Sequence, residues 1–252
     1  MGYGGNTTCL EIRLSHGEAI VIDGGTGVRA LGAALTEEFQ GEKLSLHFLL
    51  THFHWDHIQG IPFFSPLYNP SNAIAFHSGR SRNEIEEFLK GQMSDPYFPV
   101  NFELVAAKRE FIQNEPGALQ IRDASVRSFP LNHPQKAWGY RLEVDGAVIV
   151  HASDLEHGDP KLDSVLREYA QNADILIYDA QFTPEEYESK RGWGHSTWLE
   201  ATRVARDAHV KHLILFHHDP SHCDTKITSI INEARKHFEN TDAAREGWVL
   251  EF

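Results

Sequence analysis

Short apolar runs and amphipathic stretches alternate along this chain. The runs AIVIDGG (19–25), LSLHFLLT (44–51), AIAFH (73–77), VRSFPL (126–131), YRLEV (140–144), AVIVHASD (147–154), DILIYDA (174–180) and HLILFH (212–217) have the length and composition of strands. Between them, apolar positions recur at helical spacing over 27–39, 81–93, 161–171, 197–208 and 226–239. The fourth helix carries a start signal. Thr197 with Glu200 three residues on has the form of a capping box, and Trp198, Ala201, Ala205 and Ala208 then share one face. Strands alternating with helices predict a layered α/β architecture. With no repeat, low-complexity tract or linker, residues 1–252 read as a single domain.

The strands are most informative where they stop. Five apolar runs deliver a histidine or aspartate at the carboxyl end: His52 after HFLLT, His133 after SFPLN, Asp154 after VIVHAS, Asp179 after ILIY and His217 after LILF. Ligands of open α/β sheets gather outside the carboxyl ends of strands, so this convergence predicts a metal site. In HFHWDH (52–57), His52 and His54 alternate and can point the same way from an extended segment, while Asp56 and His57 follow as the chain turns and can serve a second ion. Imidazole with carboxylate suits zinc, manganese or iron, and a set without cysteine is the catalytic rather than the structural kind.

Composition narrows the function. A net charge of −13 argues against a general nucleic-acid binder, which carries a basic face; bound divalent cations would offset part of it. Two cysteines, Cys9 and Cys223, make no disulfide framework and point to a reducing cytoplasm. The N-terminus has no signal-peptide pattern, and no apolar run has the length of a membrane span. Of the 16 histidines, His16, His209, His212 and His237 read as solvated, and His47 and His77 as satisfied groups within strands. His151, His157, His218 and His222 neighbour the candidate ligands and read as supports rather than ligands.

His52, His54, Asp56 and His57 resemble the HxHxDH signature of the metallo-β-lactamase fold hydrolases, and His133, Asp154 and His217 follow in that family's order. VIDGGTG (21–27) resembles the strand and glycine turn before the signature, and GHSTWLEATRVARDAHVKHLILFHHDP (194–220) is similar to the stretch that closes ribonuclease Z-like phosphodiesterases. The resemblance covers nearly the whole chain. It implies a four-layer αβ/βα sandwich holding two divalent metal ions, zinc first, with manganese or iron as alternatives. It assigns His52, His54 and His133 to one ion, Asp56, His57 and His217 to the other, and Asp154 to both. A hydroxide bridging the ions would attack phosphorus, with Asp56 orienting the water. Members of this branch usually have a strand before the GGNT loop, whereas this chain starts almost inside it, so that first strand is expected to be missing before residue 1. The bridging slot holds Asp154 instead of cysteine, which turns the reading away from penicillin-type substrates.

His195 lies just ahead of the capped helix, where free N–H groups favour anions. There it can stabilise charge on phosphorus or protonate the leaving alkoxide, with Asp179 holding its tautomer. Ribonuclease Z-like enzymes have a glutamate–histidine pair at this point, and Asp179 would be a shorter arm. Ribonuclease Z also carries a long arm that grips tRNA, inserted between the fourth ligand and the bridging aspartate. Here only PQKAWGYRLEVDGAVIVHAS separates His133 from Asp154, so no such exosite arm is expected. The remaining substrate is a small phosphodiester, cyclic nucleotides included, with Trp193 stacking on a base, Lys136 meeting a phosphate, and GIPFFSPLYNP (60–70) and DPYFPV (95–100) walling the pocket. The alternatives are a lactone, ester or thioester hydrolase on the same ions, and a non-catalytic metal sensor. No membrane partner is expected. Relatives' habits imply a homodimer, though no stretch announces an interface.

Overall fold

A computed structural model describes residues 2–15, 17–114 and 118–251; His16 lies outside the described residues. Every predicted strand and helix forms, with ends moved by a few residues. The chain divides into two compact units, one holding the described residues from Asn6 to Asn114, the other those from Gly2 to Gly5 and from Ala118 onward.

The first unit contains β1 (Leu10–Arg13), β2 (Ala19–Ile22), β3 (Ser45–Leu49), β4 (Ala73–Ser78) and β5 (Lys108–Gln113), hydrogen-bonded in that order. The β1–β2 pair is antiparallel and the others are parallel. Its helices are α1 (Val28–Phe39), the single turn α2 (Trp55–Ile58) and α3 (Arg82–Gln92). All four residues of β2 are buried, as expected of a parallel strand covered on both faces. Val21, Leu46, Phe48, Ile74 and Phe76 of the strands pack with Val28 and Leu35 of α1 and Ile85 and Leu89 of α3. The apolar pattern misses β1, β5 and α2 for a physical reason. β1 is a four-residue edge strand that buries only Ile12 and carries the Arg13–Glu11 and Arg13–Glu38 ion pairs, and β5 has no fully buried position, with Lys108 and Glu110 exposed and Arg109 half-buried. The segment 60–70 forms two short 3₁₀ turns that bury Ile61, Phe64 and Leu67 and leave Phe63 exposed against the Phe98 ring.

The second unit contains β6 (Ala118–Ile121), β7 (Ala124–Leu131), β8 (Ala137–Val144), β9 (Ala147–Ala152), β10 (Ile175–Asp179), β11 (His212–Phe216) and β12 (Thr241–Ala243) in one sheet. Strands β6 to β9 form an antiparallel meander, and β9 to β12 are parallel. The helices are α4 (Pro160–Ala170), the single turn α5 (Pro184–Tyr187), α6 (Trp198–Asp207) and α7 (Asp224–Arg235). Central strand β10 is buried at all five positions, and Leu176 and Tyr178 pack with Ala201, Val204 and Ala205 of α6. β8 and β9 are joined by Asp145 (φ +50°) and Gly146 (φ +83°), the left-handed pair that a two-residue hairpin requires. Thr197 caps α6 by accepting the Glu200 N–H, but the Glu200 carboxylate pairs with Arg167 and Arg203 instead of completing the predicted box. No helix among the described residues is long and apolar enough to cross a membrane.

His47 and His77 meet between β3 and β4 with Nδ1 and Nε2 3.0 Å apart, which requires one ring to donate and the other to accept. Burial, and then the neighbouring His47, outweigh a bond from Asn114 and hold His77 down to about 4. An unfolded histidine titrates near 6.5, so from that pH down to about 4 the unfolded chain takes up a proton that the native state refuses. Stability is therefore lost as pH falls through this window, by on the order of 3 kcal/mol at its end. Thermal unfolding should show a steeper decline in midpoint between neutral and mildly acidic pH for wild type than for His77→Leu. Equal declines would place the acid sensitivity elsewhere.

Candidate metal centre

The first unit brings His52, His54, Asp56 and His57 together, with His57 held by a buried carboxylate that the sequence reading missed. Asp23, just past β2, has φ +60°, a left-handed conformation that aspartate tolerates better than most residues. Its Oδ1 accepts the Thr51 N–H at 2.8 Å, and its Oδ2 accepts the Thr51 hydroxyl at 2.8 Å and meets His57 Nδ1 at 2.7 Å. Thr51 Oγ1 also lies 3.0 Å from His52 Nδ1. Because the hydroxyl proton is committed to Asp23, that oxygen accepts from His52 Nδ1–H. Both rings are thus fixed as Nδ1–H tautomers, with Nε2 on the side away from the carboxylate. The His52 ring centroid lies 4.4 Å from that of His54 and 4.1 Å from that of His57, and Asp56 Oδ2 lies 3.4 Å from His57 Nε2. Backbone bonds from Gly24 N–H to His57 O (2.7 Å) and from Gly60 N–H to Gly24 O (2.9 Å) seat α2 on the end of β2. A Cβ on Gly60 would fall 2.0 Å from the Gly25 carbonyl oxygen, so this seat requires glycine. Trp55, between two candidate ligands, is 71% exposed.

The second unit brings together His133, Asp154, Asp179, His195 and His217. Ligand atoms of Asp154, Asp179, His195 and His217 lie within 4.8 Å of one another. Asp154 (φ +60°) and His217 (φ +57°) repeat the left-handed turn at a strand end seen at Asp23. His133 Nδ1 donates to the Gly194 carbonyl at 3.0 Å, and His217 Nδ1 donates to Gln181 Oε1 at 3.1 Å with its Nε2 3.4 Å from Asp154 Oδ2. Fully buried Asp179 accepts from the N–H groups of Gln181 (3.1 Å) and Ser196 (3.0 Å) on Oδ1, and from Asp154 N–H (3.1 Å) and His195 Nδ1 (2.9 Å) on Oδ2. His195 stacks on His217 with centroids 5.0 Å apart. Burial pushes the His195 imidazole down, but Asp179 and then Asp154 outweigh it, and the net position lies above that of an ordinary histidine.

The supports divide as their contacts dictate. His157 bonds Ser196 Oγ, His222 is held by Glu186, and His151 and His218 pack against Phe216 and Tyr3. His209 and His237 are exposed, whereas His212 is half-buried on Asp242 instead of solvated. Trp193 is 59% exposed with the Lys190 ammonium 3.9 Å over its ring, and Lys136 is exposed in the turn that follows His133.

A family model described as the β-lactamase superfamily domain matches residues 18–218. The chain belongs to that superfamily. This bears out the reading of a metal-dependent hydrolase with the metallo-β-lactamase fold. Ribonuclease Z of Haloferax volcanii is 28% identical over 224 residues, covering 68% of this chain and 67% of that protein. Among solved structures, the metallo-β-lactamase fold protein YhfI of Bacillus subtilis superposes with a TM-score of 0.71 at 22% identity, covering 99% of this chain and 96% of that one. A diphosphatase of the PhnP family superposes with a TM-score of 0.68 at 20% identity, covering 98% and 84%. At these identities the superpositions show the fold alone.

Asp23, Thr51, Gln181 and Gly194 are the residues that sequence reasoning passed over. Asp23 had a signal, since it too ends an apolar run; Gly194 and Gln181 act through contacts distant in sequence and had none.

Proposed function

We propose that this chain is a dinuclear metal-dependent phosphodiesterase acting on a small phosphodiester. His52, His54 and His133 would hold one divalent ion, Asp56, His57 and His217 the other, and Asp154 would serve both. The donor chemistry fits. His52, His57, His133 and His217 each have Nδ1 committed, to Thr51, Asp23, Gly194 and Gln181, so each offers Nε2, as metal-binding histidines do. Zinc suits this set best, with manganese or iron as alternatives. Two such ions supply Lewis acidity, acidifying the attacking water and bearing charge on the phosphoryl oxygens.

The observation that carries the phosphodiester reading is the Asp179–His195 pair. Asp179 accepts Nδ1–H of His195 and, with Asp154 beside it, favours the imidazolium, whose Nε2–H is then the proton delivered to a departing alkoxide. Asp56, a carboxylate within its own cluster, would orient the water. Small size is supported by the span from His133 to Asp154, which is a single β8–β9 hairpin where ribonuclease Z carries its tRNA-gripping arm, and by the charge of −13. Trp193 offers the indole face opposite Lys190 to a base, and Lys136 offers a cation to a phosphate. The two free thiols suit a cytoplasmic setting.

Hydrolysis of bis(p-nitrophenyl) phosphate with added Zn²⁺ or Mn²⁺ should be abolished by chelator and reduced about 10²–10⁴-fold by His195→Ala. Turnover of a lactone that ignores His195→Ala would replace this reading with the ester hydrolase, and silence on phosphodiester, lactone and nitrocefin alike would leave the metal sensor. Cyclic mononucleotides, cyclic dinucleotides and ribose cyclic phosphates form the panel for the natural substrate class.

A further inference from the structure

Glu156 lies two residues beyond Asp154 and receives an unusual number of hydrogen bonds. Oε1 accepts the Tyr187 hydroxyl at 2.9 Å and the Gly192 N–H at 2.8 Å, while Oε2 accepts Gly192 N–H at 2.9 Å and Gly194 N–H at 3.0 Å. Its backbone is held as well: its N–H donates to Asn132 O at 2.8 Å, and Asn132 Nδ2 donates to its carbonyl at 2.7 Å. One residue therefore ties the position before His133 to the glycine turn whose carbonyl receives His133 Nδ1–H. That turn is in close contact with the imidazole. Gly194 has φ +87°, and a Cβ there would sit 2.5 Å from His133 Nδ1.

We propose that Glu156 is a positioning residue for His133. Its carboxylate fixes the Gly192–Gly194 turn, the turn's carbonyl sets the tautomer and ring plane of His133, and His133 thereby presents Nε2 to a divalent ion. The inference rests on the ligand set proposed above. A carboxylate is required because convergent N–H and O–H donors need acceptors on both oxygens, and glutamine would turn an amide NH₂ against one of them. The electrostatics agree. Burial raises the Glu156 carboxyl, but the N–H groups of Gly192 and Gly194, the Tyr187 hydroxyl and His157 together bring it below the ordinary range. Tyr187 is pushed up to about 12 by burial and then by its bond to Glu156, so it remains a donor.

The test is titration of the metal-free full chain with Co²⁺, read by visible absorption, with folding followed by circular dichroism. Glu156→Gln should fold, bind one of two ions about 10–100-fold more weakly and change the absorption of that ion, as His133→Ala does, while the other ion keeps its affinity. If Glu156→Gln does not fold, Glu156→Asp, whose shorter arm cannot span the same donors, is titrated in its place with the same expectation. A folded variant that melts earlier but binds both ions with wild-type affinity and spectrum would show Glu156 to be a structural brace only, and would overturn the inference. Wild-type protein that takes up no Co²⁺ would instead overturn the ligand set beneath it.

Discussion

Replacing Asp154 with alanine is expected to remove both metal ions together and to lower phosphodiester turnover by about 10³-fold or more, since the ions carry several kcal/mol of transition-state charge and each 1.4 kcal/mol is a factor of ten. The reason lies in what surrounds this side chain. Asp154 is buried, its Oδ2 lies 3.4 Å from His217 Nε2, its Oδ1 lies 3.8 Å from His195 Nδ1, and the Ser153 hydroxyl donates to Oδ2 at 3.0 Å. An anion between imidazoles lowers the cost of bringing a dication among them, and Asp154, proposed to serve both ions, would take both affinities with it when it goes. The left-handed backbone at Asp154 adds a cost to any residue except glycine, asparagine or aspartate. Asp154→Asn therefore serves as the companion variant, keeping shape and backbone preference while removing the charge. Metal analysis of folded Asp154→Ala should find neither ion. Two ions per chain in that variant would show that Asp154 does not bridge.

Much of this arrangement was legible in the apolar pattern because the proposed site residues sit where strands end. A run such as ILIY predicts a buried parallel strand, and the polar residue that stops it marks the edge of the sheet, so Asp179, Asp154 and His217 were found by the same signal that found their strands. What escaped was of two kinds. Very short elements escaped, such as β1, whose four residues alternate Leu10, Glu11, Ile12 and Arg13 but bury only Ile12, too little apolar face to stand out from its neighbours. Orienting groups also escaped, because a carbonyl such as that of Gly194 carries no residue-type signature. Its role follows only once folding sets it against His133, 61 positions away. Thr197 and Glu200 give an intermediate case: the cap forms, but the packing of α4 against α6 offers Glu200 the Arg167 guanidinium, a stronger partner than the Thr197 N–H.

Asp179→Asn should cut turnover by up to about 10⁴-fold while leaving the metal content intact, a combination opposite to that of Asp154→Ala. The Asp179 carboxylate is fully buried and all its partners are donors: three backbone N–H groups and His195 Nδ1. Asparagine has the same shape but only one acceptor oxygen. If its NH₂ takes the place of Oδ1, the N–H groups of Gln181 and Ser196 lose their acceptor. If it takes the place of Oδ2, Asp154 N–H loses its acceptor and His195 must accept at Nδ1, which excludes the imidazolium and leaves only a neutral ring, a far weaker acid. The second orientation disables His195 without touching a proposed ligand side chain, and the first strains the turn that bears it. The first leaves two buried donors facing an amide and the second leaves one, a loss of roughly 1–6 kcal/mol that should appear as a lower unfolding midpoint. Turnover, metal content and thermal unfolding on one preparation separate the outcomes. Wild-type turnover in folded, metal-replete Asp179→Asn would remove His195 from proton transfer and return the choice of substrate to the metal ligands alone.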